Sequence, residues 1–271
     1  MPKAAVIQMT SSSELKRNLE LARRLLERAA EAGVVLAVLP ENFALMPLNE
    51  RARVAIAEQP DAGPIQTALA AAARDLGLWI VAGTVPMRSH EAGRPSATSL
   101  VFDAAGERVA RYDKIHLFDV DLPSRTERYR ESATTLPGAE PVVVDTPIGR
   151  IGLSVCYDLR FPELYRTLAA RGATVFTVPS AFTAPTGRAH WEVLLRARAI
   201  ENQGYVLAAA QAGLHDNGRE TYGDSLIVEP WGGVVRRLPR GSGVVIAEID
   251  AESADRLRRT FPVLDHRRMG A

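Results

Sequence analysis

Short apolar runs alternate with amphipathic helical stretches along nearly the whole chain, and this alternation restricts the fold more than any other feature. Val34 to Leu39 is apolar at every position, which predicts a strand covered on both faces. Just before it, Leu15, Leu19, Ala22, Leu26 and Ala29 recur at spacings of three and four, giving one buried helix stripe that ends near Gly33. Ser11 to Ser13 with Glu14 are expected to cap that helix. Interleaved elements of both kinds specify an α/β domain rather than separate helical and sheet halves.

The same reading predicts further strands at 4–9, 78–85, 98–103, 107–113, 142–145, 150–155, 173–178, 206–210, 225–229, 234–238 and 244–249. Helices are expected at 50–58, 65–76, 162–171 and 189–202, with a last short one after Asp250. Trp231-Gly232-Gly233 reads as a hairpin turn. Residues 114–140 have no period, and their aromatic residues and alternating charges predict a packed functional loop. No linker rich in Pro, Gly or Ser interrupts the pattern, so one domain is expected over 1–271, with a short polar tail from about 262. A domain of that length buries roughly 75% of its unfolded surface and needs no staples.

One internal echo stands out. Gly33 to Phe43, GVVLAVLPENF, is similar to Gly172 to Phe182, GATVFTVPSAF, and each follows an amphipathic helix. Duplicated α-β units would place two sheets back to back with helices outside. The alternative is that any two buried strands look alike.

Charge excludes several partners. The 33 Lys and Arg balance 32 Asp and Glu to a net charge of +1 without a basic cluster at either end, which argues against nucleic-acid and membrane-surface binding. A small molecule is the expected partner. Met1-Pro2-Lys3 runs straight into the first apolar stretch, leaving no room for a charged leader and signal core. A cytoplasmic protein is therefore expected, and its one cysteine would stay reduced there.

That cysteine, Cys156, lies where RIGLSVCYDLRFPEL passes from an apolar strand through a polar turn to a helix opened by Pro162. A strand-to-helix elbow presents a side chain and backbone N–H groups at one spot, so Cys156 is either a nucleophile or a buried core cysteine. A thiol with a pKa of roughly 8.5 needs a base. His90, His215 and His266 fall in loops or the tail and read as solvated, and His116 sits between apolar residues. Glu41, immediately after a fully buried strand and Pro40, must be paired or functional, since an isolated charge there is costly. Lys114 is one of only three lysines, with Lys3 and Lys16. It is either an exposed neighbour of Asp113 or a compact cation for a developing oxyanion. Gly-x-Ser-x-Gly, phosphate-loop and dinucleotide motifs are absent, and dispersed histidines give no metal-ligand spacing. Neither metal nor cofactor is expected. Trp191 and Trp231 read as packing residues.

The segments LAVLPENF, RYDKIHLFDVDL, RESATTLPG and RIGLSVCYDLRFPELY together closely resemble the nitrilase superfamily of carbon–nitrogen hydrolases. The resemblance implies a four-layer α-β-β-α sandwich, a Glu-Lys-Cys triad and a homodimer or higher homo-oligomer. It makes Glu41 the general base, Lys114 the oxyanion-stabilising cation, Cys156 the nucleophile and Glu131 the second glutamate near the lysine. The Tyr157 backbone N–H would share the oxyanion. HLFDVDLPSRTERYRESATTLPG and SAFTAPTGRAHWEVLLRARAIENQGYVLAAAQAG look most like the Nit branch, which acts on amides of small 2-oxo dicarboxylic acids. Deaminated glutathione is the first expected substrate, 2-oxoglutaramate the alternative, and other amides or N-carbamoyl amino acids follow. A non-catalytic binding protein would need a broken triad. An anionic substrate calls for a guanidinium. Arg160, with Phe182 and Thr183 at the neighbouring strand exit, is the candidate, against an ion pair of Arg160 with Asp158 or Glu163. His190, Trp191 and Glu192 are expected to hold the core.

Overall fold

The computed structural model describes residues 1–121 and 128–269. Its first large sheet has seven strands among these residues, in the order Gly243–Glu248, Lys3–Gln8, Val34–Val38, Trp79–Val81, Ser96–Phe102, Val85–Met87, with Arg108–Asp113 also paired to Ser96–Phe102. The second has six, in the order Val234–Leu238, Ser225–Val228, Tyr205–Ala208, Val175–Thr177, Gly149–Leu153, Val143–Thr146. Three parallel strands make the centre of each sheet, and antiparallel strands flank them. The two echoing segments occupy matching places, since Val34–Val38 and Val175–Thr177 are the middle parallel strands. The topology thus agrees with duplicated units.

Alternation along a strand explains why these runs are apolar throughout. Ala4, Val6, Leu36 and Val38 share one core with Leu153, Val206 and Leu226 of the second sheet. Ala5, Ile7, Ala37 and Leu39 point the other way, against Leu25, Leu26 and Ala29 of helix Leu15–Glu31 and Ile65 and Leu69 of helix Pro64–Leu76. Helices Pro162–Ala170 and Ala184–Asn202 cover the second sheet with Tyr165, Leu168, Trp191 and Leu195. The chain is a four-layer α-β-β-α sandwich. Each fully buried Leu, Ile or Val contributes roughly 1.5–3 kcal/mol, so both faces of each sheet must be covered. No helix among the described residues is long and apolar enough to cross a membrane.

Both middle strands stop at a proline that cannot extend the ladder. The Leu39 N–H donates to Val81 O and the Val178 N–H to Leu207 O, each at 2.9 Å, before the chain leaves at Pro40 and Pro179. Parallel strands open a crevice at their carboxyl ends. Here the ends of the two sheets meet, because the Gln211 side chain beyond Tyr205–Ala208 donates to Glu41 O at 3.0 Å. Gly83 makes room for this exit: it adopts φ +43°, and a Cβ there would stand 2.0 Å from Pro40 O.

Several expectations are corrected. The strand expected at 78–85 is two, Trp79–Val81 and Val85–Met87, separated at Gly83. The expected loop 114–140 contains the hairpin Asp119–Asp121 with Arg128–Arg130 and a 3-10 turn Glu131–Ala133, elements too short to show a period. A hairpin at Ala212–Leu214 and Glu220–Tyr222 was not expected. The long helix starts at Ala184 rather than 189, capped by Thr183, because Pro185 fits a first turn. The second helix ends at Ala55. Glu14 occupies the first helix's cap position without a side-chain cap bond, while the Ser12 N–H and hydroxyl both donate to Asn18 Oδ1. His215 is buried rather than solvated, and Trp231 is 66% exposed rather than packed. Trp191 is core, but His190 is exposed and Glu192 pairs with arginines at the surface.

Candidate active site

Cys156 stands where strand Gly149–Leu153 gives way to the 3-10 turn Cys156–Arg160 and then helix Pro162–Ala170. Its φ is +48°, a left-handed conformation that a non-glycine residue adopts only when its surroundings enforce it. Three bonds do so: the Cys156 N–H donates to Pro179 O at 2.8 Å, the Val155 N–H to Asp158 Oδ2 at 2.8 Å, and the Asp158 N–H to Val155 O at 3.0 Å. The sharp turn aims the thiol into the crevice at the sheet ends.

Lys114 follows strand Arg108–Asp113, and its side chain is buried between two carboxylates. Its Nζ donates to Glu41 Oε1 at 2.8 Å and to both Glu131 oxygens at 2.9 and 3.1 Å. Glu131 also accepts the Phe118 N–H at 2.7 Å. Burial alone would lower the Lys114 pKa, but Glu131 and Glu41 outweigh it and hold the group above its ordinary value, so it is a cation at neutral pH. Burial would raise the Glu131 carboxyl, yet Lys114 and Arg53 keep it below the usual range. Burial, then the Glu41 charge, push the Cys156 thiol well above its ordinary value, with Lys114 and the Ala181 N–H opposing. The resting site therefore holds a neutral thiol that the neighbouring Glu41 charge keeps protonated, and attack requires a base.

Two buried networks hold this arrangement. Asp158 accepts the Tyr112 hydroxyl at 2.7 Å, the His116 N–H at 3.0 Å and the His116 Nδ1–H at 2.7 Å, besides the Val155 N–H. One carboxylate thus ties both sides of Lys114 to the Cys156 turn. His116 stacks on Phe161 with ring centroids 3.7 Å apart and serves that clamp, not the thiol. On the other side, Gln211 Nε2 donates to Ser11 Oγ and Glu41 O, and Ser11 Oγ donates to Phe43 O, which holds the segment carrying Glu41.

Glu41, Lys114, Glu131, Cys156, Tyr157, Arg160, Phe182 and Thr183 all line one cavity of about 350 Å³. Every site residue expected from sequence is brought together there. Arg160 pairs with neither Asp158 nor Glu163 in the hydrogen bonds seen: its Nη1 donates to His190 Nδ1 at 3.2 Å, and its guanidinium lies 5.3 Å from the Phe182 ring centre. Arg53, Phe118, Tyr129, Arg130 and Arg219 also face the cavity and were not expected. Apart from the neighbours Tyr129 and Arg130 they come from separate segments, and no local pattern marks them.

A buried cysteine, lysine and glutamate pair at the joined ends of two sheets define the class. Residues 3–259 match the family of carbon–nitrogen hydrolases, and the chain belongs to it. It is a nitrilase-superfamily amidase, a hydrolase of carbon–nitrogen bonds other than peptide bonds. The chain is 44% identical over 265 residues to the deaminated glutathione amidase of Yersinia enterocolitica, covering 97% of this chain and 92% of that protein. The crystal structure of the Caenorhabditis elegans NitFhit protein superposes with a TM-score of 0.90 at 42% identity, covering 98% of this chain and 65% of that one. Saccharomyces cerevisiae Nit3, of branch 10 of the nitrilase superfamily, gives 0.88 at 31% identity, covering 99% and 97%.

Proposed function

We propose that the chain hydrolyses the amide of a small 2-oxo dicarboxylic acid, with deaminated glutathione as substrate and 2-oxoglutarate and cysteinylglycine as products. The observation that carries this is the Lys114 ammonium bound to Glu41 and Glu131, beside the neutral Cys156 thiol, in a cavity rimmed by arginines. Glu41 takes the thiol proton as the sulfur attacks the amide carbonyl. Lys114 and the Tyr157 N–H steady the oxyanion, which a permanent cation can do and a neutral amine cannot. The carbon–nitrogen bond breaks as Glu41 returns the proton to the leaving amine, and a thioester remains. Glu41 then accepts a proton from water, the hydroxide adds to the thioester, and the carboxylic acid and thiol are released.

Arg160 takes the carboxylate of the acyl part, with Phe182 and Thr183 beside it. Curated relatives named deaminated glutathione amidase, at 41% to 44% identity, support this substrate over 2-oxoglutaramate. The reading extends to a cytoplasmic homodimer or higher homo-oligomer joined through the face where Val193 and Ile200 of helix Ala184–Asn202, with Trp231 and Phe261 beside it, are exposed. The test is mass spectrometry of protein quenched during turnover. A 2-oxoglutaryl adduct on Cys156 from deaminated glutathione is expected, and Cys156→Ala and Glu41→Gln should each abolish turnover while staying folded. Full turnover by Cys156→Ala would end the scheme.

A further inference from the structure

The cavity's arginines differ in what already holds them. Arg130 is bound to both oxygens of Asp121 at 2.9 and 3.0 Å, Arg128 lies 3.8 Å from the same carboxylate, and Arg53 acts on Glu131. Two others face the cavity without a carboxylate partner among the described residues. One is Arg160. The other is Arg219, whose guanidinium lies 4.9 Å from the Tyr129 ring centre.

Arg219 is held in place before any ligand arrives. Its carbonyl accepts the His215 N–H at 2.9 Å, closing the turn between Ala212–Leu214 and Glu220–Tyr222. The His215 Nδ1–H donates to Ser11 O at 2.9 Å and Nε2 accepts from the Thr221 hydroxyl at 2.7 Å, while Asn217 Nδ2 donates to Pro47 O at 2.9 Å. Burial keeps that imidazole's pKa low, so these bonds persist at neutral pH. The turn is thereby fastened to the segments flanking Glu41.

An aromatic row joins these two guanidiniums: Arg160 lies 5.8 Å from the Tyr157 ring, Tyr157 meets Phe118 at 5.1 Å, and Phe118 meets Tyr129 at 5.0 Å. A group that protonates the leaving amine must stand next to it, so the leaving part of the substrate lies beside Glu41, and the turn that carries Arg219 is tied to the Glu41 segment through Ser11, which bonds Phe43 O, and through Pro47. The acyl part lies on the Cys156 and Arg160 side. We infer that Arg219, poised on Tyr129, is a specificity residue that binds a carboxylate on the leaving amine, selecting amides of amino-acid or dipeptide amines over simple amides.

This inference rests on the proposed function, and its test separates the two. kcat/KM is measured for 2-oxoglutaryl-cysteinylglycine and for the same compound ending in a carboxamide. The ratio favours the free acid in the unmutated protein. Arg219→Gln is expected to reduce that ratio about 10- to 100-fold, mainly through KM, and Arg219→Lys to recover part of it. An unchanged ratio in Arg219→Gln overturns the subsite alone. Failure of the unmutated protein to cleave either peptide overturns the substrate reading and the subsite with it.

Discussion

Replacing Lys114 with methionine keeps nearly the same volume and removes the charge together with its hydrogen-bond donors, which makes it a direct test of the buried cluster. Nζ makes three charged hydrogen bonds of 2.8 to 3.1 Å to Glu41 and Glu131, and both the ammonium and Glu41 are buried. Taking one partner from such a cluster costs about 3–5 kcal/mol, because the remaining charges stay desolvated without compensation. The folded variant can relieve this by binding a proton on one carboxyl, whose pKa then rises above its unfolded value. A carboxyl raised in the folded state gives stability at low pH that is lost as pH rises. In the unmutated protein Glu131 is depressed, so its stabilisation is present at neutral pH and lost on acidification. Both effects make the variant's deficit grow with pH, by up to about 1.4 kcal/mol per unit for one proton, from below the ordinary glutamate range upward. Urea unfolding at pH 5 and pH 7 measures it. A deficit below about 1 kcal/mol at pH 7, or one equal at the two pH values, would refute the reasoning.

Two further outcomes follow from the same site. Burial and then Glu41 hold the Cys156 thiol high, so Glu41→Gln should shift the pH midpoint of iodoacetamide alkylation downward, and a midpoint that stays or rises contradicts that electrostatic role. Asp158→Ala leaves four donors around Lys114 and Cys156 unpaired, so unfolding titrations should show a loss of about 3–5 kcal/mol and assays a lower kcat, with Asp158→Asn recovering part of both; native stability would rule out the clamp.

The alternation of strands and helices was legible because its causes are local and repeated. A strand covered on both faces must be apolar at successive positions, as Val34 to Leu39 is, and a helix covering one face must repeat at three and four, as Leu19, Ala22 and Leu26 do. The site was legible where a residue type conflicts with its surroundings: a carboxylate after a buried strand, a thiol at an elbow, a lysine in an arginine-rich chain. Elements of three residues, such as Asp119–Asp121 and Ala212–Leu214, gave no such pattern. Three residues hold too few repeats of the two-residue strand period to stand out, and pairing alone makes them strands.

By itself, then, the sequence determined which residues could carry chemistry and an α/β pattern of buried strands and covering helices, since dihedral preference and burial act on neighbours along the chain, while the two-sheet sandwich was implied by the family resemblance. Only the folded structure decided that Glu41 and Lys114, 73 residues apart, touch, and that His215 is a buried tie. It also decided which arginines are already neutralised by Asp121 and which, Arg160 and Arg219, face the cavity free of a carboxylate among the described residues. Charge pairing is settled by distance in space, and two identical side chains acquire different chemistry according to what folding places within a few ångströms of each.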